Sequence, residues 1–323
     1  MGKITFDLLK EDYYLNKQLR TATIWSYDKV TQTFVRFMDK DVCPEDITRR
    51  DVLMWRDSIL RQRKLSTWTW NNKVRHLRAL YAWGIKNGLL ATEENPFHGV
   101  VVRPEQKLKK VLTESQVDQV YAVMERFERM ENQGEAPPYC RCSLVPVRFW
   151  RVVLDMLQFS GMRQNQLIHL RLKDICFEQN IITLRVESAK NYRENRIPLI
   201  SVLRPGLLQL ADELRLRGMR PEDQFFNVGF LTGRREEGGM SVQTLRGFFR
   251  RLSRECHFNV SPHRFRHTIA TELMKLPDSN LQTVKNLLGH SSISTTLEYV
   301  DGNVDTVREA LEARFAAKKK KKS

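Results

Sequence analysis

Apolar positions in the first third of the chain fall at helical spacing. Tyr27, Val30, Phe34 and Phe37 recur at three and four and predict one buried helical stripe. Thr48 stands where a helix cap belongs, with Val52, Trp55 and Ile59 behind it. Ser66 predicts the cap of a longer helix that runs to about Lys86 and closes at Gly88. Val74, Leu77, Tyr81 and Ile85 form its inward face, while Arg75, Arg78 and Lys86 share another stripe. Asn95-Pro96 ends this helical block, and VVRPEQKLKKVL at 101–112 reads as a basic linker. Thr113 and Gln116 then predict a capping box for a helix from Glu114 to about Met130. The stretch 131–146, with a glycine and three prolines, predicts a loop. A helix follows from about Val147 to Phe159, and Gly161 ends it.

The period then changes. Ile175–Phe177, Ile181–Val186 and Arg196–Leu199 predict three short strands separated by turn residues. After Arg204 the helical pattern returns, with Phe248 and Phe249 as core candidates. There is no internal repeat. No apolar run is long enough for a membrane span, and Met1–Lys10 lacks the apolar core of a signal peptide. The five cysteines are scattered, and Cys140 and Cys142 form a C-x-C with no second pair, which argues against a metal site. A cytoplasmic protein with reduced thiols is the expectation.

Charge narrows the partner. The net charge is +16, of which the lysine run at 318–322 supplies five, leaving +11 on the body. Such an excess fits a polyanion, most commonly nucleic acid. From Ser58 to Thr92 there are 35 residues without one carboxylate but with Arg61, Arg63, Lys64, Lys73, Arg75, Arg78 and Lys86, interleaved with His76, Trp68 and Trp70. A solvated basic face is the bland account. Alternating signs would have served solubility equally well, so the block reads as a surface that tracks phosphates.

Candidate chemistry gathers near the C-terminus. SPHRFRHTIATELM at 261–274 and LLGHSSISTTLEYV at 287–300 place His263, Arg266, His267, His290 and Tyr299 within 37 residues. A phenol is mostly protonated at neutral pH, so Tyr299 needs a base or an electropositive site to act as a nucleophile. His263 is the candidate base, and His267 is either its support, an alternative base or a core histidine. Farther upstream, GMRQNQL carries Arg163 and SAKNYRENRIPL carries Lys190. Planar guanidinium forks match the non-bridging oxygens of a phosphodiester, which gain negative charge under attack.

These motifs, in this order, resemble those of the tyrosine recombinases of the phage-integrase family. The resemblance is strong over 110–315 and weaker over 20–100. It implies a mainly α fold with a small antiparallel β-sheet, in which a helical core-binding domain precedes a mixed α/β catalytic domain. The expected bounds are 1–100 for the first, 101–112 for the linker, 113–317 for the second and 318–323 for a lysine tail. It also implies Tyr299 as nucleophile, Arg163, Arg266 and His290 as phosphate ligands, Lys190 as general acid, and no metal or cofactor. The implied partner is a specific site on double-stranded DNA, bound by a homotetramer with an accessory directionality factor. Val304–Phe315 reads as an amphipathic helix that docks either on a neighbouring protomer or on its own domain.

Three features depart from the family pattern. Gln166 stands where a carboxylate commonly follows the first arginine by three. The loop at 131–146 looks like an insertion. Only about 20 residues precede the first predicted helix, which leaves no room for an arm-type DNA-binding domain. Type IB topoisomerase activity and a non-catalytic DNA-binding regulator are the alternative functions, the first sharing the chemistry and the second lacking it.

Overall fold

The computed structural model describes residues 3–38, 42–104, 110–135, 144–185, 194–234, 239–276 and 281–289. The chain divides into two compact units, Met1–Leu108 and Lys109–Ser323. Each is built around its own apolar cluster.

Four helices make the first unit: α1 (Phe6–Lys17), α2 (Thr21–Met38), α3 (Arg49–Asp57) and α4 (Thr67–Lys86). α4 packs against both α1 and α2, and Trp55, Trp70, Tyr81, Phe34 and Phe97 fill the centre. Edge-on ring pairs, such as Trp55 with Trp70 at 5.3 Å, join these aromatics. α1 departs from the sequence expectation, which places no separate helix ahead of Tyr27. Its buried face is Phe6, Leu9, Lys10 and Tyr13. The lysine masks the apolar period, and its ammonium is held in place by Asp7 at 3.0 Å and Asp28 at 3.1 Å.

The predicted caps do the work expected of them. Thr48 Oγ1 accepts from the Asp51 backbone N–H, and the Asp51 carboxylate accepts from that of Thr48, a reciprocal box that starts α3. Ser66 caps α4 through the N–H of Thr69. Between them the chain continues from α3 as a π-helical turn over Ser58–Gln62. The indole of Trp70 donates to the Val100 carbonyl at 2.9 Å, and Asn71 exchanges two hydrogen bonds with the backbone of Val102. The first unit therefore holds the chain beyond residue 100.

The second unit is organised on α6 (Val147–Ser160), whose buried residues run almost all round the helix. It is covered by α5 (Glu114–Asn132), α8 (Arg204–Leu216) and α11 (Pro262–Lys275). Trp150 stacks on Phe248 of α10 (Val242–Cys256) at 4.2 Å, and both phenylalanines of that helix are buried. Thr113 and Gln116 form the predicted capping box on α5. The strands β1 (Ile175–Cys176), β2 (Ile181–Leu184) and β3 (Asn195–Pro198) form an antiparallel sheet in the order β1-β2-β3. Ile182 faces Ile197 across β2 and β3, and both are buried. Half of the 131–146 insertion, the predicted 304–315 helix and the lysine tail lie outside the described residues.

Candidate active site

Gly161 caps α6 in the left-handed conformation, at φ +63°. A Cβ there would stand 3.1 Å from Ile269 Cγ2 and 3.3 Å from Leu288 Cδ2, so glycine satisfies both the turn and the close packing. The turn leads directly to Arg163, the N-cap of α7 (Gln164–His169). Gln166, at the third position of α7, is buried, and its Oε1 accepts from the Arg163 backbone N–H at 2.8 Å. The neutral amide thus fills the acceptor position that a carboxylate would fill in a capping box, without its charge. This is the local role of the residue that departs from the family pattern.

Pro262 opens α11 behind the Ser261 cap, and His263, Arg266 and His267 follow at helical spacing on one face. Arg266 is buried. Its Nη1 donates to the Gly161 carbonyl and its Nη2 to the Leu288 carbonyl, each at 2.5 Å. Those acceptors lie at the C-terminal ends of α6 and of α12 (Leu281–Leu288), where the helix dipoles concentrate negative potential. A buried guanidinium is expensive unless its donors are matched, and two helix ends match it here. Arg163 approaches the same end of α12, with Nη2 donating to the Gly289 carbonyl in a long bond of 3.4 Å. Gly289 itself is left-handed at φ +58°.

His263 stands at the open side of this cluster, 6.5 Å from His267 ring to ring. Partial desolvation, followed by the positive charges of Arg266 and Arg163, pushes its pKa below the ordinary imidazole value. The neutral ring that results at pH 7 is the form able to accept a proton. β3 reaches the same place: the Asn195 amide donates to the Asn286 carbonyl of α12 at 3.2 Å.

The structure therefore brings together Arg163, Gln166, His263, Arg266 and His267. Lys190, His290 and Tyr299 lie outside the described residues. In the first unit, Arg61, Arg63, Lys64, Arg75, Arg78 and Lys86 are exposed. Lys73 differs: it is half-buried, lies 5.8 Å over the Trp55 ring, and has its pKa lowered by burial and then by Arg63.

A further basic surface was not singled out from the sequence. Arg246, Arg250 and Arg254 recur every fourth residue along α10, all exposed, and no carboxylate among the described residues pairs with them. Together with His257 they line a groove of about 770 Å³ that ends at His263. The signal was the period of four in LRGFFRRLSREC, where Phe248, Phe249 and Leu252 turn inward and leave this stripe outward.

Comparison with known proteins places the chain in a family. Residues 110–305 match the phage integrase family. A protein of Pseudomonas syringae provisionally named tyrosine recombinase XerC is 32% identical over 97% of this chain and 65% of its own length. One of the same name from Pseudomonas aeruginosa is 30% identical over 96% and 71%. The chain belongs to the phage integrase family of tyrosine recombinases. It spans about two thirds of the length of these two relatives. Among solved structures, the Tn1549 transposon integrase in complex with transposon right end DNA superposes with a TM-score of 0.72 at 19% identity, over 97% of this chain and 100% of that one. A lambda integrase dimer bound to a COC' core site gives 0.66 at 16%, over 93% and 96%. At these identities the likeness concerns the fold. No helix among the described residues is long and apolar enough to cross a membrane.

Proposed function

We propose that this protein is a site-specific recombinase that cuts and rejoins duplex DNA through a covalent 3′-phosphotyrosyl linkage. The observation that carries the reading is the convergence of Arg163 and Arg266, from two distant parts of the chain, on the C-terminal end of α12, with His263 under the field of both and His290 next in sequence.

The Tyr299 oxygen attacks the scissile phosphorus and forms a P–O bond. The phenolic proton passes to neutral His263. Arg163 and Arg266 stabilise the charge gathering on the non-bridging oxygens, with His290 as a further donor and His267 and Gln166 as supports. Each preorganised donor of this kind contributes on the order of 10²–10³ in rate. The P–O5′ bond breaks as Lys190 protonates the leaving oxygen. A 5′-hydroxyl from another strand then attacks the ester, restoring the phosphodiester and releasing the phenol, so the bond energy is kept without ATP. Asn195, beside α12, ends the connection that carries Lys190, which supports that assignment.

The basic faces of α4 and α10 are the proposed contacts to DNA. The relatives' name and the DNA-bound integrases point the same way. The proposed assembly is a homotetramer on a specific recombination site, aided by a directionality factor. It acts in the cytoplasm for integration, excision or resolution of a mobile element. A duplex from DNA that the protein protects, nicked beside the cut, should trap a detergent-stable adduct with wild type and none with Tyr299→Phe. Absence of adduct in wild type, or its persistence in the variant, contradicts the proposal.

A further inference from the structure

Two tryptophans two residues apart on α4 meet opposite fates. Trp70 is fully buried and hydrogen-bonded, whereas Trp68, in the first turn, is 67% exposed. Trp68 shares its outward face with Asn72 and Arg75, and it follows the exposed Arg61, Arg63 and Lys64. The other strongly exposed tryptophan, Trp25, has the Lys29 ammonium 5.5 Å from its ring. Among the described residues no ring or cation lies on Trp68.

An indole gains little from phosphates, which the surrounding cations already serve. Its natural partner in nucleic acid is the face of a base. In an intact duplex those faces are covered by their neighbours. Exchange of strands between two duplexes must uncover them.

We propose that Trp68 is a stacking platform for unpaired bases, which makes this basic face favour DNA whose strands are locally open. The proposal rests on the reading of the protein as a DNA recombinase, and it adds a binding contact to α4 that is not electrostatic. One stacked base strengthens binding by about tenfold, within the range for base–aromatic stacking.

The test uses the full chain and two 30-bp probes of about equal charge, one fully paired and one with a central mismatched bubble. Wild type should bind the bubble about tenfold more tightly. Trp68→Ala should bring that ratio to about one while leaving the affinity for the paired probe unchanged. Arg75→Gln should weaken both probes alike. Bubble binding should quench tryptophan emission in wild type and in Trp25→Phe, but not in Trp68→Phe. Equal wild-type affinity for the two probes, a preference that survives in Trp68→Ala, or quenching that survives in Trp68→Phe overturns the proposal. Failure to bind either probe overturns the DNA reading beneath it. Because Trp68 is exposed, its variants should melt with wild type, and a lowered melting point would contradict its role as a surface platform.

Discussion

Arg266 and Arg75 are the same residue used in opposite ways. Arg266 lies buried between the ends of two helices, its orientation set by carbonyls from positions 161 and 288. Arg75 stands on the solvent face of α4 in a stretch without carboxylates. A buried, oriented charge acts at one point in space and couples to the fold. An exposed one acts through its field, is screened by salt and leaves the fold alone.

The largest effect separating them is on stability. Arg266→Ala leaves the carbonyls of Gly161 and Leu288 without their buried donor, at about 1–3 kcal/mol each. Thermal unfolding should drop by roughly 10 °C for a unit of this size, whereas Arg75→Gln should stay within about 0.5 kcal/mol of wild type. Equal stability of the two variants would break the contrast. Next in size is Gly161→Ala, which adds a Cβ at positive φ against Ile269 and Leu288 and should cost about 2 kcal/mol by denaturant titration.

Electrostatic coupling inside the site is subtler. His263 should titrate below 6.5 by NMR, so the acid limb of any cleavage profile should lie below that value as the base becomes neutral with rising pH. Arg163→Gln removes one of the positive charges holding it down, so its pKa should rise. An unchanged or lower value would show that the two do not communicate. The smallest effect belongs to the exposed faces. Arg75→Gln and Arg250→Gln should each reduce the slope of log K against log salt by about 0.9, with no change in melting.

Much of this was legible in the sequence because local chemistry declares itself. Thr48, Ser66 and Thr113 announced helix starts, Gly161 announced a stop, and Arg163, His263 and Arg266 stood in recognisable motifs. α1 was missed because Lys10 occupies a core position by virtue of partners that belong to tertiary structure. The stripe of Arg246, Arg250 and Arg254 was hidden by Arg251 and the phenylalanines between them, and separates out once the helix is drawn. That the charge of Arg266 is spent on two helix ends could not be read at all. Its acceptors are backbone atoms, which carry no sequence signature.

The central proposal is that the cluster around the buried Arg266 serves a tyrosine nucleophile at position 299. The direct measurement is mass spectrometry of the protein–DNA adduct from a nicked duplex, after nuclease and protease digestion. A nucleotide joined through its 3′-phosphate to the Tyr299 peptide is the predicted result. The same adduct on another residue, or a 5′-phosphate linkage, would contradict the account.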